Sequence, residues 1–261
     1  KNVDALIVLG NALAGLKDLD GAIEQVEQAI DENPARTFTY ANLGSLYIAK
    51  GDRDKARTAF QDAVKVDPKS VGARLSLANF HWAAGEQADA EREMKAALQL
   101  EPGSPAANRA LAAFYITRNE PATAEPYLKA LAETSATIPT RTLLADLYVR
   151  NGKTAEARSV LESLSKEADG YVVGKTRLAV LEFATGNKTE AYKVVDEVLA
   201  KEPAAEQALE SKARFLIADG KYGDALAIAD KVLASNPEST GARFLRGAAL
   251  EADSRLDEAT L

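Results

Sequence analysis

The chain has 261 residues, a formal net charge of −7, no cysteine and one histidine. Without cysteine it has no disulfide, thiolate nucleophile or cysteine-ligated metal site. The excess of 39 Asp and Glu over 32 Lys and Arg argues against a nucleic-acid partner, because such proteins need clustered cations to displace counterions from phosphates. No apolar stretch approaches the roughly 20 residues that cross a bilayer, so we expect no membrane span.

The composition favours helices. The 51 alanines make up about a fifth of the chain and accompany abundant Leu, Glu, Lys and Arg, which are also strong helix formers. The 9 prolines fall mainly between the apolar periodic segments, where helix breakers belong. The sequence therefore predicts an all-α fold.

Five of the prolines recur with a fixed period. Pro34, Pro68 and Pro102 are 34 residues apart, as are Pro203 and Pro237. The separation of Pro102 and Pro203 is 101 residues, one fewer than three periods. One residue is therefore missing from a repeat in the middle of the chain.

Two columns of small residues follow the same period. The first holds alanine in every repeat: Ala22, Ala56, Ala90, Ala124, Ala157, Ala191, Ala225 and Ala259. The second, 12 residues upstream, holds only glycine or alanine: Gly10, Gly44, Ala78, Ala112, Ala145, Ala179, Ala213 and Gly247. Larger side chains would push two crossing helices apart, so these columns predict a close antiparallel helix pair in each repeat.

A turn is predicted between the two helices of each pair. One column there contains Gly51, Gly85, Asn119, Gly152, Gly186 and Gly220. Glycine and asparagine tolerate the left-handed conformation that ends many helices. The proline at the end of the repeat stops the second helix, because it lacks the backbone donor.

Residues 37–70 carry the clearest copy of the repeat. Its signature positions are occupied by Tyr40, Leu43, Gly44, Tyr47, Ala56, Phe60, Ala63 and Pro68. This pattern resembles the tetratricopeptide repeat, a helix–turn–helix unit of 34 residues, with Tyr40 in the place of the family's tryptophan. The resemblance extends over the whole chain.

The resemblance implies one α-solenoid of antiparallel helix pairs over residues 1–261, wound as a right-handed superhelix with the first helices lining a concave groove. Repeats are predicted to begin near Val3, Thr37, Val71, Pro105, Ile138, Val172, Glu206 and Thr240. This division contains seven full repeats and the first helix of an eighth.

Three residues depart from the repeat pattern. Lys212 and Arg246 stand where earlier repeats have leucine, which predicts that the last two repeats pack differently or expose that edge. Pro126 falls inside the second helix of the fourth repeat, where it removes a hydrogen bond and crowds the preceding turn. We predict that this helix is distorted or starts late.

The ends of the sequence lie inside repeats. The chain begins with Lys1 and Asn2 rather than methionine, and it stops at Leu261, shortly after Ala259. A solenoid needs a polar cap on its last apolar face. We therefore expect this sequence to be a piece of a longer protein.

Residues suited to catalysis are scarce. His81 falls in a column with Tyr47, Tyr115 and Tyr148, which predicts a half-buried structural histidine rather than a general base or metal ligand. The carboxylates cluster near the turns and alternate with Lys and Arg, as on a solvated face. No phosphate-binding loop, nucleophile elbow or zinc helix motif occurs. We expect no enzyme activity, metal or cofactor.

The residues of the first helices that point away from their own partners form the predicted groove. They include Asn11, Phe38, Asn42, Ser45, Asn79, Trp82, Arg109, Asp146, Arg177, Phe183, Glu210 and Arg214. Asparagines come early, where amides can pair with a peptide backbone. Arginines come later, where guanidinium groups can hold carboxylates. Trp82 either anchors a partner or packs on the adjacent first helix; both readings stay open.

One known mode of binding in the family is not retained here. Tetratricopeptide domains of chaperone partners hold a terminal carboxylate with asparagines and cations. Asn11 and Asn42 match the asparagine places, but Ile7, Gly72 and Ser76 stand at the cationic places. The sequence therefore predicts no carboxylate clamp of that kind.

The resemblance implies a non-enzymatic scaffold that binds a peptide or a helical segment of a protein partner in its groove. An alternative is a self-associating architectural protein, similar overall to bacterial envelope proteins of polysaccharide export or secretion. A third is a regulatory module of a larger protein. The sequence leaves open whether the protein works in a bacterial cytoplasm or in the envelope.

Overall fold

The computed structural model of the chain describes residues 2–253, which form fifteen α-helices and no β-strand. The helices in chain order are α1 (Val3–Gly15), α2 (Leu19–Glu32), α3 (Thr37–Lys50), α4 (Arg53–Val66), α5 (Val71–Ala83), α6 (Gln87–Leu100), α7 (Pro105–Thr117), α8 (Pro121–Thr134), α9 (Ile138–Arg150), α10 (Thr154–Ser165), α11 (Tyr171–Ala184), α12 (Lys188–Lys201), α13 (Glu206–Ala218), α14 (Tyr222–Ser235) and α15 (Thr240–Ala252). The predicted all-α fold is confirmed.

Odd-numbered helices begin where the repeats are predicted to begin. The agreement is to the residue for seven of them, and α11 starts at Tyr171, one residue before Val172. Even-numbered helices are the second helices of the repeats. The 34-residue period read from prolines and alanines thus sets the helix boundaries.

The chain forms two compact units, Lys1–Ser135 and Ala136–Leu261, here called the N-terminal unit and the C-terminal unit. In each unit the two helices of a repeat pack on each other, and the second helix packs on the first helix of the next repeat. First helices also contact one another: α3 with α5 and α5 with α7 in one unit, α11 with α13 and α13 with α15 in the other. That the two units continue as one solenoid stays a prediction.

The two small-residue columns mark the helix crossings. The alanines from Ala22 to Ala225 are fully buried, while Ala259 lies outside the described residues. In the other column, a β-carbon added to Gly44 would lie 2.8 Å from the Phe60 ring. Because α3 and α4 approach this closely, only glycine fits at that position without a shift of the ring.

Every described turn within a repeat contains one residue with positive φ. The six predicted residues have φ between 58° and 90°, and Lys17 adopts φ of 66° at the same place in the first repeat. The left-handed residue lets the next amide reach back to the end of the first helix, as where Asp52 N donates to Tyr47 O at 2.9 Å. Lys17 was not predicted, because lysine carries no left-handed preference.

Pro126 does not delay or interrupt its helix. Helix α8 runs without a break from Pro121 to Thr134, so the predicted late start is wrong, while the predicted loss of a hydrogen bond at Pro126 holds. The first turn is already closed before the proline, since both Thr123 N and Ala124 N donate to Glu120 O. The carbonyl that Pro126 leaves without a donor belongs to exposed Ala122, where water can replace the lost bond.

Lys212 and Arg246 pack through ion pairs. Lys212 Nζ lies 2.7 Å from Asp196, and Arg246 Nε lies 3.0 Å from Asp230. Each pair joins a first helix to the second helix of the preceding repeat, where the leucines of α3, α5 and α7 are buried. The predicted difference in packing is therefore the exchange of an apolar contact for an ionic one.

Candidate functional site

The first helices carry most of the large apolar side chains that are exposed in the described chain. Those on first helices are Val8, Leu9, Phe38, Ile48, Leu143, Val149, Val180 and Phe244. Leu100 is the single counterpart on the second helices between residues 2 and 253. A concentration of exposed apolar side chains on the first helices of each unit is typical of an interaction surface.

A cavity of about 310 Å³ opens on this face in the N-terminal unit, between α3 and α5. Its lining consists of Thr37, Phe38, Ala41, Asn42, Ser45, Ser70, Gly72, Ala73 and Ser76. None of these residues is charged. The predicted residues Phe38, Asn42 and Ser45 therefore lie together, around a neutral cavity that offers hydroxyl and amide groups.

The predicted asparagines do not all lie at that cavity. Asn42 lines it and donates from Nδ2 to Oδ1 of Asn11 on α1 at 3.0 Å. Asn79 on α5 and Arg109 on α7 are exposed outside it. Ile7, at one cationic place of the family clamp, is buried in the core. The cavity of the N-terminal unit thus presents an amide and hydroxyls rather than cations.

Trp82 contacts the adjacent first helix. Its ring meets the ring of Phe114 on α7 edge to face, with centroids 5.5 Å apart, and its side chain is half-buried. This is the packing alternative left open by the sequence. Phe183 is similarly engaged in the C-terminal unit, where it stacks on Phe215 at 4.3 Å.

A second cavity, of about 360 Å³, lies on the first-helix face of the C-terminal unit. Its lining combines Asp146, Arg177 and Arg214 with Ala145, Val149, Leu161, Thr176, Val180, Leu181, Ala184, Gln207 and Ser211. Three predicted residues from α9, α11 and α13 are thereby brought together. Arg177 Nη1 forms an ion pair with Asp146 Oδ1 across adjacent first helices.

The prediction included the aromatic residues Phe38, Trp82 and Phe183 but missed the aliphatic part of both surfaces. Val149 and Val180, exposed by 46% and 42%, border the second cavity, and Ile48 is exposed on α3. The repeat register contained the signal, because these residues occupy columns from which other residues were chosen: Val180 stands in the column of Ser45 and Asp146, and Ile48 and Val149 stand in the column of Trp82 and Phe183. The residues chosen for the groove were polar or aromatic, although a binding face also exposes aliphatic side chains.

The repeat pattern now admits a family comparison. Sequence patterns described as tetratricopeptide repeat match residues 3–36, 42–105, 142–206, 176–234 and 211–260, which together make up most of the chain. The chain belongs to the tetratricopeptide repeat family. No curated protein sequence gives a significant match.

Solved tetratricopeptide repeat structures share the fold. YrrB, described as a TPR protein with an unusual peptide-binding site, is 19% identical over 72% of this chain and 97% of its own, with a TM-score of 0.55. A tetratricopeptide repeat protein from Parabacteroides merdae is 18% identical over 95% of this chain and 98% of its own, with a TM-score of 0.53. The matching chain in the structure of Naa15/Naa10 bound to HypK-THB is 18% identical, with a TM-score of 0.57, but the matched part spans only 41% of that chain.

Tetratricopeptide repeat proteins are generally non-catalytic interaction scaffolds, and His81 has a structural environment here. It is 5% exposed, more buried than predicted, and its Nδ1 lies 2.5 Å from Glu86 Oε2. Arg57 donates to the same carboxylate from Nη1 at 2.8 Å and from Nη2 at 2.6 Å. The hydrogen bonds from Arg57, and then from His81, lower the pKa of Glu86 from 4.5 to about 2.

Asp89 completes a cluster with His81 and Glu86 whose ligand-type atoms lie within 4.8 Å of one another. Both carboxylates already have cationic partners: Arg57 on Glu86, and Arg92 on Asp89 at 2.5 Å. A metal ion would have to displace these guanidinium groups. Two ion pairs explain why these carboxylates lie together. One joins α4 to the turn after α5, and the other lies within the first turns of α6.

No helix among residues 2–253 has both the length and the apolar character of a membrane span.

Proposed function

We propose that this tetratricopeptide repeat chain binds a peptide or helical segment of a protein partner on the face formed by its first helices. The observation that carries the proposal is the distribution of exposed apolar side chains. Eight lie on first helices and one, Leu100, on the second helices of the described chain. A face exposed only to water has no need for such a concentration, whereas a partner would bury it.

The cavities on this face suit segments of a polypeptide. Their volumes of about 310 and 360 Å³ suit one or two side chains rather than a whole domain. Amides and hydroxyls beside the apolar groups, such as Asn42, Ser45 and Gln207, can pair with peptide N–H and C=O groups. The peptide-binding site described for YrrB, which shares the fold, supports the same use here.

The proposal can be tested with a displayed library of random peptides, panned against the full chain. Peptides that are enriched would be synthesised, and their affinities measured for the parent chain and for single variants. Phe38→Ser and Val149→Ser each remove an exposed apolar side chain from a first helix. For each enriched peptide, we expect at least one of these two variants to lower the affinity by about tenfold or more.

Leu100→Ser is the matched control, since Leu100 is similarly exposed but lies on second helix α6. It is expected to leave the affinities unchanged. Equal loss in all three variants, or loss in Leu100→Ser alone, would move the binding site away from the first helices. Sedimentation over a range of concentrations tests the self-association alternative, because a monomeric mass at all concentrations contradicts it.

A further inference from the structure

We infer that the cavity of the C-terminal unit selects a bulky apolar side chain of the partner together with a neighbouring carboxylate, and that Arg214 receives this carboxylate. The inference rests on the proposed function and specifies the peptide class for one part of the same face. It follows from three properties of the cavity: an apolar interior, an ion pair that is already complete, and one arginine that is only loosely held.

The interior of the cavity is lined by aliphatic carbon. Val149 of α9 and Val180 of α11 are exposed to it, and Leu181, Ala184 and Ala145 lie around them. A side chain such as Leu or Phe would remove these exposed groups from water. A charged side chain there would lose its hydration without an opposite charge in the interior to compensate.

The charged groups at the edge of the cavity differ in how free they are to bind a partner. Asp146 and Arg177 form an ion pair with each other and so offer little net charge. Arg214 approaches Glu210 one turn earlier at 3.5 Å, a long contact, and its side chain is 56% exposed. A guanidinium has five donors in a planar fork, so Arg214 retains donors for the two oxygens of a partner carboxylate.

The polar groups beside Arg214 suit the backbone of such a peptide. Gln207 is exposed, and its amide can both donate and accept. Ser211 lines the same cavity but is 4% exposed, and its hydroxyl donates to Gln207 O at 2.8 Å. Because the aliphatic side chains, Arg214 and Gln207 line one cavity, a single occupant can contact all of them.

A preference for an acidic residue opposes the overall charge of the protein. With a net charge of −7, the chain as a whole attracts basic peptides. The N-terminal cavity has no charged lining and offers no carboxylate site. Selection of an acidic peptide would therefore favour the C-terminal cavity over the N-terminal one.

The test uses four fluorescent peptide pools with random flanks, which differ at two adjacent fixed positions: Leu-Glu, Leu-Gln, Leu-Lys and Ala-Glu. Affinities for the full chain are measured by fluorescence anisotropy at low salt. We expect the Leu-Glu pool to bind about tenfold more tightly than Leu-Lys or Ala-Glu, with Leu-Gln between them. Val180→Ser should weaken all three leucine pools alike.

Two changes at Arg214 separate its charge from its bulk. Arg214→Gln should abolish the preference for Leu-Glu over Leu-Lys, and Arg214→Glu should reverse it. Lys129→Glu, the same charge reversal at an exposed position of second helix α8, is the control and should preserve the preference. Circular dichroism of each variant confirms that the helices are retained.

The outcomes distinguish this inference from the proposed function. Equal binding of Leu-Glu and Leu-Lys, or equal effects of Arg214→Glu and Lys129→Glu, overturns the role of Arg214 and leaves peptide binding intact. If none of the four pools binds, while peptides from the displayed library still bind and lose affinity for Phe38→Ser, the C-terminal cavity is rejected as a binding site and the proposed function stands. Absence of binding by both the pools and the displayed library rejects the proposed function itself.

Discussion

Asn42 on α3 donates a hydrogen bond from Nδ2 to Oδ1 of Asn11 on α1, at 3.0 Å. The two residues lie on the first helices of consecutive repeats and are 31 residues apart in sequence, so the bond crosses a repeat boundary on the first-helix face. Both side chains are in contact with solvent. The sequence predicts that these two amides pair with the backbone of a bound peptide. In the unbound protein they are instead paired with each other.

This pair is expected to serve binding rather than folding. Asn11→Ala or Asn42→Ala should change the free energy of unfolding by no more than about 0.5 kcal/mol, because the lost bond is replaced by water. The same changes should lower the affinity for peptides that bind at the N-terminal cavity. Thermal melts and anisotropy titrations measure the two effects, and a loss of stability above about 1 kcal/mol would make the pair structural.

Gly44→Ala should destabilise the N-terminal unit. The added methyl would lie 2.8 Å from the ring of Phe60, and such overpacking costs about 1–3 kcal/mol. Gly15→Ala is the control, since no atom lies within 4 Å of its added β-carbon, and it should stabilise α1 by up to about 1 kcal/mol. Urea denaturation distinguishes the two; equal shifts would contradict the close crossing.

Lys17→Gly should raise stability. Lysine at φ of 66° carries strain of about 1–2 kcal/mol, which the added chain entropy of glycine offsets by about 0.5–1 kcal/mol. The reverse change at the matching position, Gly51→Lys, should lower stability by a similar amount, since Gly51 has φ of 86°. Changes of the same sign in both variants would show that φ at this turn is unimportant.

Glu86 makes stability depend on acid pH. Arg57 and His81 lower its pKa from 4.5 to about 2, so its contribution is complete above pH 4.5 and is lost as the pH falls to 2. Glu86→Gln should therefore have a lower melting temperature than the parent at neutral pH, and the gap should close below pH 4.5. A gap that is constant with pH would refute the assignment to ionised Glu86.

Thr176→Val should be neutral or stabilising. The Thr176 hydroxyl is buried and has no hydrogen-bond partner in the described structure, at a cost of about 1–3 kcal/mol. Thr142 is the matched residue of the preceding repeat, and its hydroxyl donates to Ile138 O at 3.0 Å and to Pro139 O at 2.9 Å. Calorimetry should show a higher melting temperature for Thr176→Val than for Thr142→Val; the opposite order would indicate a hidden partner of Thr176.

The sequence by itself determined the repeat framework. Proline spacing, two columns of small residues and the glycine turns depend on local geometry and on contacts that recur along the chain, so several repeats report the same constraint. Helix starts such as Thr37 and Ile138 follow from this period. The left-handed Lys17 was missed, and the late start predicted at Pro126 was wrong, because single residues can adopt or tolerate a conformation that their type disfavours.

Only the tertiary structure decided which face residues act together. Asp146, Arg177 and Arg214 are 31 and 37 residues apart in sequence, yet they line one cavity, and Trp82 is engaged by Phe114 on another helix. Such groupings depend on side-chain direction and on packing between neighbouring first helices, which the period leaves free. Exposure of Val149 and Val180 likewise follows from packing, because an aliphatic residue is equally suited to a core and to a face that a partner covers.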